Sequence, residues 1–193
     1  MEILLTLMKI RAFFALTLPQ SVVRWLADHA DSLSTFDRQM EVNWVDSEHY
    51  HLTLCFLGEI ELEQVDALEQ LCRERLKDVL SLQVHLNAAE YYRVSKRLAL
   101  VAALTSECDQ LMKLHEAMIS IAQDAGIQYD ERDFKPHITL GRLDAKNHFT
   151  QPDVWPELDL YSLADSVVLL QSRPGERGSI YTPLFEVPLQ DLS

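Results

Sequence analysis

Basic side chains are scarce in this chain: 17 Lys and Arg against 30 Asp and Glu leave a net charge of −13. Such a surface repels a long polyanion unless its cations converge on one patch. Extended wrapping of nucleic acid is therefore not expected, whereas gripping one end, or binding a small phosphate ester, stays open. Cysteines number only three (Cys55, Cys72 and Cys108), an odd count without metal-type spacing. They are expected as free, mostly buried thiols of a reducing compartment, with no disulfide. With five glycines and seven prolines in 193 residues, no linker or low-complexity tract divides the chain. Nor does any apolar run reach membrane-spanning length: the opening MEILLTLMKIRAFFALTL is broken by Lys9 and Arg11, and no small-residue cleavage site follows. A cytoplasmic protein is the expectation, residues 1–7 reading as an N-terminal extension and Met8 as an alternative start.

What is present is 48% hydrophobic sequence, enough for one sizeable core and a single two-lobed unit over 1–193. Strand-like segments at 10–18, 41–45 and 50–58 surround a helix opened by Pro19-Gln20-Ser21, with Val22, Leu26, Ala30 and Leu33 inward. A second helix over 61–77 carries Val65, Leu68, Leu71, Cys72 and Leu76 on one face. Strands follow at 81–89 and 97–104. Thr105 and Ser106 then read as caps of a third helix, with Leu111, Leu114, Met118 and Ile121 inward and Gly126 as its stop. HITLGRL, SVVLLQS and SIYTPLFEVPL supply late strands, the last two joined by the turn RPGERG. Strands that follow one another directly favour an α+β fold with antiparallel sheets over a doubly wound parallel one.

The one internal repeat is His-apolar-Thr-apolar, in HYHLTLCFLGEI at 49–60 and again in FKPHITLGR at 134–142. Chance supplies the pattern roughly 0.07 times in a chain of this composition. One copy in each half implies two similar lobes facing each other. Period-two alternation puts His51, Thr53 and Cys55 on one face and sends Leu52, Leu54 and Phe56 to the core; His137 and Thr139 likewise oppose Ile138 and Leu140. If both strands line one cleft, it holds two groups that titrate near neutral pH and two hydroxyl donors. That set suits phosphodiester hydrolysis without metal. One neutral imidazole takes a proton from water and the other, protonated, gives one to the leaving ribose oxygen, while the threonines hold the non-bridging oxygens. Arg142 could add a charge-assisted contact. Strict alternation puts it on the wrong face, so that role requires a bulge near Gly141.

HLTLCFLGEI and PHITLGR, preceded by RAFFALTLP and followed by SIYTPLFEVPL, resemble the two-histidine phosphoesterases, specifically the RNA 2′,3′-cyclic phosphodiesterases, also called 2′-5′ RNA ligase-like proteins. The likeness runs from Arg11 onward. It implies a bilobal fold of two pseudo-symmetric antiparallel sheets flanking a central cleft with helices outside. It further implies no metal or other cofactor, and hydrolysis of RNA or oligonucleotide 2′,3′-cyclic ends, or small cyclic nucleotides, to 2′-phosphomonoesters by a monomer. Carried over by motif, His51 is the acid, His137 the base, Thr53 and Thr139 the phosphate ligands, and Arg142 an auxiliary contact. EVNWVDSEHYHLTL departs from the family in the acidic residues Asp46 and Glu48 and the extra histidine shortly before the motif, where many relatives have a Pro- or Asn-containing turn.

Other readings stay open. A non-catalytic nucleotide- or RNA-end-binding module would keep the cleft for recognition, and 2′-5′ ligation lies within the family's repertoire. His49, two before His51, reads as a rim residue or, with His51 and His137, as part of a three-imidazole zinc site. His85 reads as solvated or cleft-facing; His29, His115 and the loop residue His148 read as structural. Cys55 is expected to be an inert thiol rather than a nucleophile. Tyr181 and Phe134 belong either to the core or to a base-stacking surface. Arg93, Lys96 and Arg97 form either a solvated turn or an electrostatic lip for an RNA end.

Overall fold

The computed structural model describes residues 8–130, 133–147, 149, 152–176 and 178–191. The expected extension at 1–7 and His148 lie outside the described residues. In chain order the elements are β1 (Lys9–Leu16), α1 (Gln20–Ser34), β2 (Asn43–Trp44), a 3-10 turn (Ser47–His49), β3 (Leu52–Glu61), α2 (Gln64–Leu76), β4 (Leu82–Arg93), β5 (Leu98–Thr105), α3 (Asp109–Asp124), β6 (His137–Asp144), a second 3-10 turn (Pro152–Val154), β7 (Leu160–Ala164), β8 (Ser166–Gly175) and β9 (Gly178–Pro188).

Each helix forms where apolar residues recur every three or four positions, and each buries that stripe: Val22, Leu26, Ala30 and Leu33 in α1; Leu68, Cys72 and Leu76 in α2; Leu111, Leu114, Met118 and Ile121 in α3. Pro19 enters α1 with its fixed φ, and Gly126, at φ +68°, ends the turn after α3 as expected. The expected caps of α3 are not caps. Thr105 pairs with Leu86, and the Ser106 N–H donates to the His85 carbonyl, so the β4–β5 ladder keeps both; α3 begins after Cys108 instead.

The strands form an open antiparallel sheet in the order β7-β4-β5-β6-β3-β1-β8-β9, with β2 added on β6. The two expected sheets are halves of this one. β3 and β6 meet at a single pair, Leu52 with Ile138, each 1% exposed. Burial of such a side chain contributes about 1.5–3 kcal/mol, so the seam is pinned from inside while the strands diverge on either side of it. The main core, under the helices, covers one face of the sheet. The other face carries two small apolar floors, one per half: Phe13, Ala15, Val168 and Leu170, and Leu100, Ala102 and Leu104.

Candidate active site

The Leu52–Ile138 pair sets the geometry. In an antiparallel ladder the residues flanking a pair face each other in reverse order. His51 is therefore placed across from Thr139, and Thr53 across from His137. The two motifs are thus related by a pseudo-two-fold axis through the seam, on the face opposite the main core.

Both strands bulge immediately after the motif. In β6 the partners step from Val101–Gly141 to Ala102–Thr139, leaving Leu140 unmatched. Arg142 consequently lies opposite Leu100, in the same cleft-side row as Ala102 opposite Thr139 and Leu104 opposite His137. The bulge that Arg142 needs is present. Gly141 is required there because a Cβ would lie 2.5 Å from Val42 Cγ1 and 3.3 Å from the Trp44 ring, where β2 packs on the bulge.

In β3 the partners step from Phe14–Cys55 to Ala15–Thr53, leaving Leu54 unmatched. Here strict alternation fails. Cys55 is 4% exposed and belongs to the main core, while Phe56, expected inside, is 47% exposed. Phe56 pairs with Phe13 and touches its ring, 5.6 Å between centroids. The inserted residue reverses the parity of Cys55 and Phe56, and a second irregularity, which leaves Leu57 unmatched between Phe13–Phe56 and Ala12–Gly58, restores it, so that Ile60 is buried again. Phe56 is the pseudo-symmetric counterpart of Arg142, so the halves match in backbone and differ in chemistry.

Each imidazole is oriented in the same way. His51 Nδ1–H donates to the His49 carbonyl at 2.7 Å, and His137 Nδ1–H to the Lys135 carbonyl at 2.7 Å. Each ring keeps Nε2 as its remaining proton-carrying atom. Phe13 and Tyr181 bracket His51, both with centroids 5.0 Å away, and Tyr92 stands edge-on to His137 at 5.9 Å. Arg142 Nη2 donates to the Tyr181 hydroxyl at 3.4 Å, linking the halves across the cleft. Burial lowers the His51 pKa to about 4 against the opposing pull of the His49 carbonyl; the Arg142 charge and the nearby His137 and His49 add to the depression. His137 is lowered too, chiefly by burial and then by the Lys135 and Arg142 charges, with the Lys135 carbonyl acting in the opposite sense. Burial pushes the Cys55 thiol up to about 12, which removes it as a nucleophile.

His49 packs against Tyr181, and among the described residues no three His, Cys, Asp or Glu side chains converge as metal ligands. Tyr181 is half-buried, packed on the floor of Phe13, Ala15, Val168 and Leu170 with its ring edge-on to His51. His85 stacks on Tyr161 and bonds Asp159 at 2.6 Å, away from the two motifs. His29 is buried beside Trp25, as a structural histidine should be.

His115 was legible only as a helix residue, and the structure gives it more to do. Each bulge leaves a carbonyl without a ladder partner. In β6 the Leu140 carbonyl accepts from the Val45 backbone N–H at 2.9 Å. In β3 the Leu54 carbonyl accepts from His115 Nδ1–H at 2.7 Å, and the Phe56 carbonyl from the Asp130 N–H at 3.0 Å. The same imidazole stacks on Phe134, 4.0 Å away and 6° from parallel, three residues before His137. One side chain thus braces the strand of the first motif and the approach to the second. His115→Phe keeps the stack and loses the donor, whereas His115→Asn keeps an N–H close to the Nδ1 position. The Phe variant is expected to lose about tenfold in kcat while folded and the Asn variant to retain most of it, since small misplacements of catalytic groups are costly. Circular dichroism alongside steady-state kinetics decides this; an unchanged kcat in folded His115→Phe would reduce the residue to packing.

An open antiparallel sheet with helices on one face and a His-x-Thr motif on each side of its central seam is a phosphoesterase fold. The chain belongs to the 2′-5′ RNA ligase superfamily, whose profile matches residues 22–175. An RNA 2′,3′-cyclic phosphodiesterase of Thermotoga maritima is 27% identical over 184 residues, covering 91% of this chain and 94% of that protein. Among solved structures, one described as a phosphoesterase superposes with a TM-score of 0.78 at 27% identity, over 95% of this chain and 99% of the other. Escherichia coli LigT complexed with NADP+ superposes at 0.77 and 25% identity, over 94% and 99%. No described helix is long and apolar enough to cross a membrane.

Proposed function

We propose that this chain hydrolyses the 2′,3′-cyclic phosphate ends of RNA or oligonucleotides to 2′-phosphomonoesters, using His51 and His137 as an acid–base pair and no metal. The observation that carries this reading is the seam register, which faces His51 with Thr139 and Thr53 with His137. A phosphate centred on the pseudo-two-fold axis meets one imidazole and one hydroxyl from each side. Water attacks phosphorus on one side as a neutral Nε2 takes its proton. The bond from phosphorus to O3′ breaks on the other, and the second imidazole, protonated, delivers its proton to O3′. The threonine hydroxyls and Arg142 hold the non-bridging oxygens where negative charge grows. By likeness to the family His51 is the acid and His137 the base. In the free protein His51 is strongly depressed, so an acid role needs the phosphate's own negative charge to restore its proton. Were a 5′-hydroxyl to take the place of water, the same displacement would run towards the 2′-5′ linkage after which the superfamily is named.

A nucleoside 2′,3′-cyclic phosphate incubated with the protein in excess EDTA is expected to give the 2′-monophosphate; absence of product, or the 3′-isomer, would overturn the reading. The pH dependence follows from the direction of the shifts. Both imidazoles titrate below 6.5 in the free protein, so kcat/KM should peak on the acid side of 6.5 and decline as the acid loses its proton. Bound phosphate favours imidazolium, so the alkaline limb of kcat should lie higher than that of kcat/KM. A kcat/KM profile still rising at pH 8 would contradict this environment.

A further inference from the structure

We propose that the body of the RNA leaves the site over the β4–β5 hairpin, whose tip binds the phosphates of the nucleotides 5′ to the cyclic end; this rests on the cyclic-phosphodiesterase reading. A cyclic phosphate occupies a 3′ terminus, so the rest of the strand has to exit on one side. The seam offers two exits, related by the pseudo-two-fold axis, and they differ in charge.

The first exit lies where β6 runs out past Arg142. Leu100 is opposite Arg142 and Leu98 opposite Asp144, so the hairpin tip at 94–97 lies immediately beyond. At about 3.3 Å per strand residue, Arg97 sits ~10 Å further on than Leu100. Arg93, Lys96 and Arg97 are all exposed, and none forms an ion pair with a described residue. Lys146 joins them: the neighbouring Ala145 N–H donates to the Arg97 carbonyl, and Asp144 is the acidic residue beside this group. The tip also continues from the site itself. Tyr92, edge-on to His137 and with Lys135 4.1 Å over its ring, immediately precedes Arg93.

The second exit is where β3 ends. There Lys9 faces Glu61 and Arg11 faces Glu59 across the β1–β3 ladder, while exposed Arg173, near the end of β8, lies opposite Ile180 and donates from Nη2 to the Thr182 hydroxyl. Lys9 and Arg11 thus each have an acid directly opposite. On the helical side Arg73 pairs with Glu69, Arg75 with Asp124 and Lys77 with Asp78. In a chain of net charge −13, the β4–β5 tip is thus a place where cations stand in excess beside the cleft. Counterion release from a polyanion favours that end.

The test compares a nucleoside 2′,3′-cyclic phosphate with a ten-nucleotide RNA ending in the same group. The proteins are wild type, an Arg93→Ala/Lys96→Ala/Arg97→Ala variant, and a Lys9→Ala/Arg173→Ala variant at the other exit. The tip variant is expected to lose about tenfold or more in kcat/KM on the oligonucleotide at low salt, through KM, with mononucleotide turnover within twofold of wild type. Its salt slope should fall by roughly 2, the value for three contacts to a single strand. The Lys9/Arg173 variant should match wild type on both substrates. Equal effects of the tip variant on the two substrates, or an oligonucleotide-specific loss confined to the Lys9/Arg173 variant, would overturn the proposed path. Should wild type turn over neither substrate, the hydrolase reading fails. Fluorescence anisotropy with a labelled RNA ending in a 2′-phosphate then tests the path alone, the tip variant having to bind at least tenfold more weakly.

Discussion

His51→Ala and His137→Ala should each lower kcat on a nucleoside 2′,3′-cyclic phosphate by a hundredfold or more, about 2.7 kcal/mol of transition-state stabilisation per residue. Each imidazole has its Nδ1–H spent on a carbonyl, so only Nε2 remains to exchange a proton, and alanine removes that atom without substitute. In the proposed mechanism base and acid act in one concerted displacement, so the double variant should be little worse than the worse single one. The variants should also fold. His51 and His137 are only partly buried, and replacing an imidazole held neutral against its solvation leaves the main core of Leu52 and Ile138 untouched. Folding stability gives an independent reading of the same environment. His29, His51 and His137 all have depressed pKa values in the fold, so wild type loses their contribution as pH drops from 6.5 towards 4, the unfolded chain taking up protons first. His51→Ala should flatten part of that loss. Full activity in both single variants would remove the acid–base pair from the chemistry.

The motif pair was legible because period-two alternation holds over three residues, and three residues are all that each motif needs. In β3 it failed at the fifth and sixth, Cys55 and Phe56. Nothing in LTLCFLG signals that Leu54 will be left unmatched, because a bulge depends on how β1 and α3 meet the strand rather than on the strand's own pattern. Cys55 and Phe56 therefore exchanged their expected faces. In β6 the glycine beside the motif did announce the bulge, since Gly141 marks a place where β2 comes too close for a side chain. The helices were legible through their apolar spacing. The start of α3 was not, because Thr105 and Ser106 suit a cap and a strand end equally well and the β4 ladder claimed them. His115 was legible as a structural histidine of α3, but what it braces was not, because its partner, the Leu54 carbonyl, is free to accept only beside a bulge 61 positions away. The halves of the sheet were implied by the repeat, but that a single pair joins them is a tertiary fact.

Arg142→Ala should cost about a hundredfold in kcat/KM, the scale for losing one preorganised donor to transition-state charge. Its Nη2 already reaches the Tyr181 hydroxyl at 3.4 Å, so the guanidinium is held over the cleft before any phosphate arrives. Arg142→Lys should recover only part of the loss, because an ammonium offers a point charge where the guanidinium offers a planar fork. Gly141→Ala tests whether placement rather than charge is at stake. The added Cβ would press within 2.5 Å of Val42 Cγ1, and relieving it must move β2 away or straighten the bulge. Overpacking of this kind costs about 1–3 kcal/mol of stability. If the bulge straightens, Arg142 turns off the row shared by His137 and Thr139, and the Gly141→Ala protein should lose activity at a temperature where it remains folded, with Arg142→Ala adding little further in the double variant. Thermal melts give the stability and the kinetic cycle over the two positions gives the coupling. Independent, multiplicative effects of Gly141→Ala and Arg142→Ala on kcat/KM would mean that the bulge does not act through Arg142.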